Sequence, residues 1–297
     1  MTFFYSPLQK APLLRITGQD GITLLHRLCS ADLRPLMHTH MCIPALFTTA
    51  QAKLIDWVRI FTCPQGLFVL ASSPEHAQRL QAWINTYTIT EDVQVCVTDN
   101  IFQCTVYGNN VPQVCGVSET PHAVSNLPHG VWFQDAQAYS NQWTGVVFEQ
   151  HTSCANVLLT QGTQATASML EERRIRACLP SHVYEYAEDI NPLELRLGDT
   201  SVSWKKGCYI GQEVIARMDS YQKIARTLVV CQSTQPFQVG DKLQHEGKPL
   251  GRVTSAMQTA DHTWIGLAVV KQEATFPLQA TSSDGSMVFC GGQKSTF

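Results

Sequence analysis

The sequence predicts an α+β protein ending in a small β-barrel, and three observations carry that reading. Up to about residue 225, segments with helical periodicity alternate with segments of strand-like alternation. Beyond Arg226 the helix signal nearly vanishes, and short apolar strands follow one another between turn clusters. Hydrophobic residues make up 44 % of the 297, enough for a real core in about two domains. The expected organisation is a body over residues 1–225, divisible into two lobes, followed by a barrel domain over 226–297.

The elements are justified in order. Leu13–Gly18 reads as a strand and turn, and Asp20–Cys29 as a helix with Ile22, Leu25 and Leu28 on one face. The cluster Met37-His38-Thr39-His40-Met41-Cys42, with His26 upstream, is the most metal-like stretch. It lacks the second ligand pair of a structural zinc site, so it reads as a polar loop entering a strand, Cys42–Phe47, and no metal is expected. Lys53–Phe61 reads as a strand that sets Asp56 on one face with Leu54, Val58 and Ile60. A carboxylate so placed must find partners or raise its pKa. Leu67–Ala71 is a buried strand, and Ser72 with Glu75 has capping-box spacing ahead of a helix carrying Ala77, Leu80, Ile84 and Tyr87. Val93–Thr98 and Phe102–Tyr107 alternate as strands, while 109–142 is turn-rich, with short strands at Trp132–Gln134 and Trp143–Phe148. Gln164–Cys178 reads as a helix stopping before Pro180, with a charged run Glu171–Arg176 taken first as a solvated face. Leu228–Cys231, Gly251–Met257, Trp264–Val270 and Pro277–Ser282 are the barrel strands, Ser283–Gly285 is a hairpin turn, and Gln293–Phe297 is a frayed end.

Composition narrows the function. Charged residues are 15 % of the chain against ~25 % in an average soluble protein. The net charge of −3 carries no broad basic excess, which excludes a general nucleic-acid binder. No apolar run reaches the ~18 residues of a membrane span. Eleven cysteines, an odd number without a C-x-x-C pair, fit reduced thiols packed in cores. The first residues lack a signal-peptide pattern, so a cytoplasmic location is expected, and the chain is separately expected to be a monomer. Dinucleotide, P-loop, zincin and serine-hydrolase motifs do not occur.

The chemistry is placed in Trp204–Met218, where Cys208 directly precedes a helical stripe of Val214, Ile215 and Met218. Lys205 and Lys206 precede the cysteine, and Gly207 and Gly211 bracket it. A helix N-terminus and nearby lysines favour a thiolate, lowering a cysteine pKa of about 8.5 to roughly 3.5–7.5. Taken alone, Cys208 reads more often as a small buried hydrophobe than as a reactive centre. From Lys205 to Arg226 the local charge is +3, from five basic residues against Glu213 and Asp219, which suits a polyanion or a plain solvated surface.

Lys206-Gly207-Cys208-Tyr209-Ile210-Gly211-Gln212-Glu213 resembles the K-G-C-Y-x-G-Q-E signature of the YgfZ family, relatives of the glycine-cleavage T-protein. Val214–Arg217 and Asn191–Glu194 extend the resemblance. It implies a T-protein-like body with ferredoxin-like lobes, a C-terminal barrel, tetrahydrofolate as ligand, and a role in iron–sulfur cluster assembly or repair. It further implies Cys208 as the reactive residue, and Asp56, Glu194, Lys206, Gly207, Tyr209, Gly211, Gln212 and Glu213 as residues of the folate site. Partners would be folate and iron–sulfur assembly factors or client enzymes. The chain departs from the T-protein pattern at Ile55, which stands in place of a first acid, and at Ala52, where glycine is usual. Cys178 replaces the glycine of an I-x-x-G-x-P turn, and Tyr221-Gln222-Lys223 lacks the glycine after the tyrosine. The alternatives are a folate-dependent aminomethyltransferase or other one-carbon transferase, and a non-catalytic folate-binding module.

Overall fold

The computed structural model describes residues 3–127, 130–134, 141–148, 161–221, 224–273, 276–282 and 285–291. The chain forms two compact units, Met1–Thr166 with Asp199–Gln212, and Ala167–Gly198 with Glu213–Phe297.

The first unit holds β1 (Phe3–Tyr5), β2 (Gln9–Lys10), β3 (Leu13–Thr17), α1 (Gly21–Leu28), β4 (Cys42–Thr48), β5 (Leu54–Cys63) and β6 (Gly66–Leu70). It continues with α2 (Pro74–Thr86), β7 (Gln94–Val97), β8 (Phe102–Tyr107), α3 (Val111–Cys115), β9 (Val124–Leu127), β10 (Gly130–Gln134), β11 (Gln142–Val147) and β12 (Gly162–Gln164). One sheet runs β4-β5-β6-β3-β7, and the other runs β12-β1-β8-β11-β10-β9 with β2 added to β8. The expected strands at 93–98 and 102–107 exist but belong to different sheets, so the turn between them is a crossover and not a hairpin.

Burial explains the layering. Leu24, Leu25 and Leu28 of α1 and Ala77, Leu80 and Ile84 of α2 pack on Leu14, Ile16, Val58, Ile60 and Val69 of the first sheet. Each fully buried leucine contributes roughly 1.5–3 kcal/mol. The other face of that sheet, through Leu13, Phe61, Phe68 and Leu70, meets Val131, Phe133 and Val146 of the second sheet. Trp132 and Trp143 fill the far side of the second sheet with Phe3, Tyr5 and Val111.

Two local expectations are corrected. The N-cap of α2 is Ser73, whose Oγ accepts the His76 N–H at 3.2 Å, and not Ser72 of the Ser72/Glu75 box. Ser72 is drawn to the Asp56 carboxylate instead, with its Oγ donating at 2.5 Å. In β5 the register against β4 shifts between Phe47 and Thr48, leaving Ile55 as the extra residue of a bulge. Ile55 therefore joins Val58 and Ile60 in the helix-side core, which simple alternation would not allow.

The second unit contains α4 (Ala167–Arg176), which starts later than the helix expected from Gln164 because Gly162–Gln164 pairs with β1. The short α5 (Gly198–Ser201) and α6 (Gln212–Ser220) lie where the chain passes between units. Then come β13 (Arg226–Ser233), β14 (Lys242–His245), β15 (Lys248–Gln258), β16 (Trp264–Lys271), β17 (Leu278–Thr281) and β18 (Met287–Gly291). These six close into a barrel in the order β13-β16-β15-β14-β17-β18, as the strand-rich sequence predicts. Of the expected hairpin turn only Gly285 falls within the described residues, while Gln222-Lys223 and Gln293–Phe297 fall outside them.

The compact units cut the chain differently from the expected 1–225 and 226–297, because residues 167–198 pack with the barrel. Leu228 N–H donates to the Glu194 carbonyl at 2.9 Å, and Arg174 donates to Ser255 Oγ at 2.7 Å. Arg174 also holds Glu171 at 2.7 Å and Glu185 at 3.4 Å, so the charged run is a clamp here and not simply a solvated face. Cys178 adopts φ +55, the left-handed backbone that a glycine would give this turn. Its thiol points to the Leu228 carbonyl at 3.5 Å.

Candidate functional site

The segment before α6 is built as two buried anchors around an exposed tip. Trp204, Lys205, Gly207 and Cys208 are exposed, whereas Lys206 and Tyr209 are buried. Lys206 Nζ donates to the carbonyls of His26, Cys29 and Ala31, the last two at 2.8 and 2.9 Å. Those carbonyls lie at and just beyond the C-terminal end of α1, where helix backbone lacks internal partners and favours a cation. Burial lowers the lysine below its ordinary range, and its ammonium also lies 5.3 Å from the Tyr209 ring centre. Burial pushes the Tyr209 phenol up to about 12.

This corrects the expected role of Lys206. An ammonium has three donors, and here all three go to backbone carbonyls, which leaves none to donate to Cys208 or to a ligand. It fixes the backbone on which Cys208 is displayed. Gln212 completes the fastening: its N–H donates to the Tyr209 carbonyl, and its Oε1 accepts the Tyr209 N–H, both at 3.2 Å. Of the two roles open to Gln212, orienting a ligand or orienting the turn, these bonds are those of the turn. Glu213 is exposed.

The two glycines differ. A Cβ on Gly207 would meet nothing within 4 Å, so neither space nor contact demands glycine there. Gly211 has φ +86, and a Cβ would lie 2.4 Å from Thr48 Oγ1 and 2.6 Å from the Thr49 carbonyl oxygen. Thr48 Oγ1 donates to the Ile210 carbonyl at 2.8 Å, so the loop is pressed backbone-first onto the end of β4. Ala52, in the same turn, has φ +58, a left-handed conformation costing a non-glycine residue roughly 1–2 kcal/mol.

A second fastening lies upstream and was not read from the sequence. Ser30 Oγ donates to the Ser201 carbonyl and accepts the Leu46 N–H at 2.9 Å, while Ser203 N–H donates to the Ser30 carbonyl at 2.9 Å. Trp57 Nε1–H donates to Ser201 Oγ at 2.9 Å, and the Arg59 guanidinium lies 4.2 Å over the Trp57 ring. Nothing local marks Ser30 and Ser201 as partners, 171 positions apart.

Asp56 is fully enclosed. Its carboxylate accepts the Ser72 N–H at 3.0 Å, the Ser72 hydroxyl at 2.5 Å and the Trp57 N–H at 2.9 Å. The structure thus places it on backbone and hydroxyl donors, not at an opening where it would face a pterin. Burial outweighs those hydrogen bonds and raises its pKa from 3.8 to about 6. A carboxyl raised on folding stabilises fully below its unfolded pKa, and that stability is lost as pH climbs through the folded value. The loss across pH 4–6 amounts to about 3 kcal/mol for a two-unit shift. Asp56→Asn removes the titration. The stability of the variant relative to the parent should improve by about 2–3 kcal/mol between pH 4 and pH 7 in urea denaturation. A pH-independent difference would contradict this.

Glu194 is also committed. Its carboxylate accepts Arg226 Nε at 3.0 Å and Nη2 at 2.9 Å, and takes the Asn191 N–H at 3.0 Å, so it acts as a structural acid and not as a ligand group. Arg226 also meets Asp189, which pairs Arg252 at 2.8 Å. The local +3 patch therefore loses Lys206 and Arg226 to internal pairing. A cavity of about 700 Å³ opens on the barrel beside Gln232, Ser233, Gln235, Met287 and Phe289, and none of the predicted site residues lines it. Among the described residues no group of three or more His, Cys, Asp or Glu side chains could hold a metal. His38 and His40 are exposed while Cys42 is buried in β4. No helix of the described residues is long and apolar enough to cross a membrane.

No family model matches the chain. A chloroplastic protein of Arabidopsis thaliana, described as a candidate transferase, is 25 % identical over 282 residues, covering 88 % of this chain. This chain spans 63 % of the length of that relative. The glycine cleavage system aminomethyltransferase T from Bartonella henselae aligns with a TM-score of 0.79 at 16 % identity, over 99 % of this chain and 85 % of that one. The mixed body and closed six-stranded barrel therefore have the fold of a glycine-cleavage T-protein.

Proposed function

We propose that this chain is a tetrahydrofolate-binding accessory protein that supports iron–sulfur cluster assembly or repair through the Cys208 thiol. The observation that carries the reading is the display of Cys208. It is exposed and has no hydrogen-bond partner among the described residues, on a loop whose flanking Lys206 and Tyr209 are buried and bonded. A side chain held out by buried neighbours is arranged for contact with something outside its own core. Folate as ligand is supported by the T-protein fold and by the K-G-C-Y-x-G-Q-E run. The anchors hold the thiol in place, and the exposed Lys205 and Trp204 beside it are the groups free to meet a ligand or client. Cys208→Ala in cells lacking the native chain should lower the activity of cluster-dependent enzymes while the purified variant keeps its melting temperature. Full activity with Cys208→Ala would end the proposal.

A second reading, one-carbon or aminomethyl transfer, is favoured by the aminomethyltransferase name of the solved structure, and the Arabidopsis relative is named only as a transferase. The enclosure of Asp56 and the apolar Ile55 beside it weigh against an acid pair at that position. Folate-dependent ammonia release from an aminomethyl carrier protein decides between the two: turnover supports transfer, and its absence supports the accessory role.

A further inference from the structure

The barrel closes where β13 pairs with β18, and there Cys231 stands directly opposite Cys290. Both side chains point into the barrel core, neither has exposed surface, and their sulfurs lie 3.5 Å apart. Opposed residues of an antiparallel pair have Cβ atoms about 4.5–5.5 Å apart, and a disulfide needs about 3.5–4.5 Å. Side-chain rotation with a small closing of the strands therefore suffices to bring the sulfurs to bonding distance. Cys178 points to the Leu228 carbonyl from outside the pair, at 3.5 Å, and is bonded elsewhere.

We infer that Cys231 and Cys290 form a dithiol modification site, which a peroxide converts to a cross-strand disulfide locking the barrel seam. The oxidant is a small uncharged hydroperoxide such as hydrogen peroxide. One sulfur, as thiolate, attacks the peroxide oxygen; the O–O bond breaks, a sulfenic acid forms, and the departing hydroxide takes the proton to leave as water. The second thiol attacks the sulfenic sulfur, the S–S bond forms, and the displaced hydroxide takes its proton to leave as a second water. Two thiols lose two electrons and two protons, and one peroxide is reduced to two waters. The hydrogen bond shared with Cys290, and then burial, hold Cys231 as the thiol in the closed barrel. The reaction therefore proceeds during brief parting of β13 from β18, and its product prevents that parting. The link spans 59 positions of sequence, so it removes much freedom from the unfolded chain.

The test uses the full native chain. After hydrogen peroxide treatment, free thiols are alkylated under denaturing conditions, and the peptides are mapped by mass without reduction. The expected result is a linked peptide pair joining Cys231 to Cys290, lighter by two hydrogens and released by a reductant. The treated protein should also show a thermal midpoint raised by several degrees that falls back on reduction. Cys231→Ala and Cys290→Ala should each lose the link, and Cys178→Ala should keep it. The inference is overturned if both thiols remain alkylatable after a dose that oxidises the exposed Cys208 and Cys96. It is equally overturned if Cys231 is found joined to Cys178 instead.

Discussion

Gly211→Ala should destabilise the protein by about 2–5 kcal/mol, the sum of a left-handed backbone penalty of roughly 1–2 kcal/mol and an overpacking cost of roughly 1–3 kcal/mol. The contacts behind the second cost are backbone and a bonded hydroxyl, which have little room to yield: a methyl would sit 2.4 Å from Thr48 Oγ1 and 2.6 Å from the Thr49 oxygen. Relieving the clash means breaking the 2.8 Å bond from Thr48 to the Ile210 carbonyl, which lifts the loop carrying Cys208. Urea denaturation measures the stability loss, and amide exchange over 204–212 should show the loop opening. The contrasting variant is Gly207→Ala, which meets open space and should change stability by under about 0.5 kcal/mol.

Lys206→Met should cost about 2–5 kcal/mol. Methionine preserves most of the apolar stem but takes the donors away from the carbonyls of His26, Cys29 and Ala31. Each carbonyl left buried without a partner costs roughly 1–3 kcal/mol, partly recovered where water reaches it. The same change removes the cation from the Tyr209 ring. Chemical denaturation reads the cost. The sign separates two accounts of this lysine: a partner of Cys208 would alter thiol chemistry while leaving stability almost unchanged, whereas an anchor lowers stability first. Lys205→Met, at an exposed position, should leave stability within about 0.5 kcal/mol.

These two residues also show what the sequence could and could not disclose. Leu25 and Leu28, or Ala77, Leu80 and Ile84, repeat at helical spacing, so the two helices and most of their buried faces were legible directly, although Leu24 was missed, Ile22 is only partly buried and Tyr87 is exposed. The barrel was legible from the dearth of helix signal after Arg226, although β14 and β18 were not named; β14 has a single buried residue, Leu243, to mark it. Asp56 sits among apolar neighbours, and the reading that it must find partners or raise its pKa describes what occurs, with Ser72 and Trp57 as partners and a value of about 6. What it was read to face was not legible, because a carboxylate on a buried strand face is satisfied by whichever donors the next turn supplies. Lys206 misled for a related reason. Adjacency to Cys208 suggested a shared direction, yet the loop turns Lys206 and Tyr209 inward and leaves Lys205, Gly207 and Cys208 outside. The pairing of Glu185 could not have been found locally: it is buried against Ser255, 70 positions away, and meets it only once the barrel is in place.

The accessible thiol is the centre of the proposed function, and Cys96 provides a reference within the same molecule because it too is exposed and free. The most direct measurement is the alkylation rate of Cys208 in the native protein, read peptide by peptide against Cys96, with and without saturating tetrahydrofolate. A bound folate beside the loop should slow Cys208 at least several-fold and leave Cys96 unchanged, with the same half-saturation as a direct binding titration. An identical Cys208 rate with and without tetrahydrofolate, together with no saturable binding, would contradict a folate site at this cysteine.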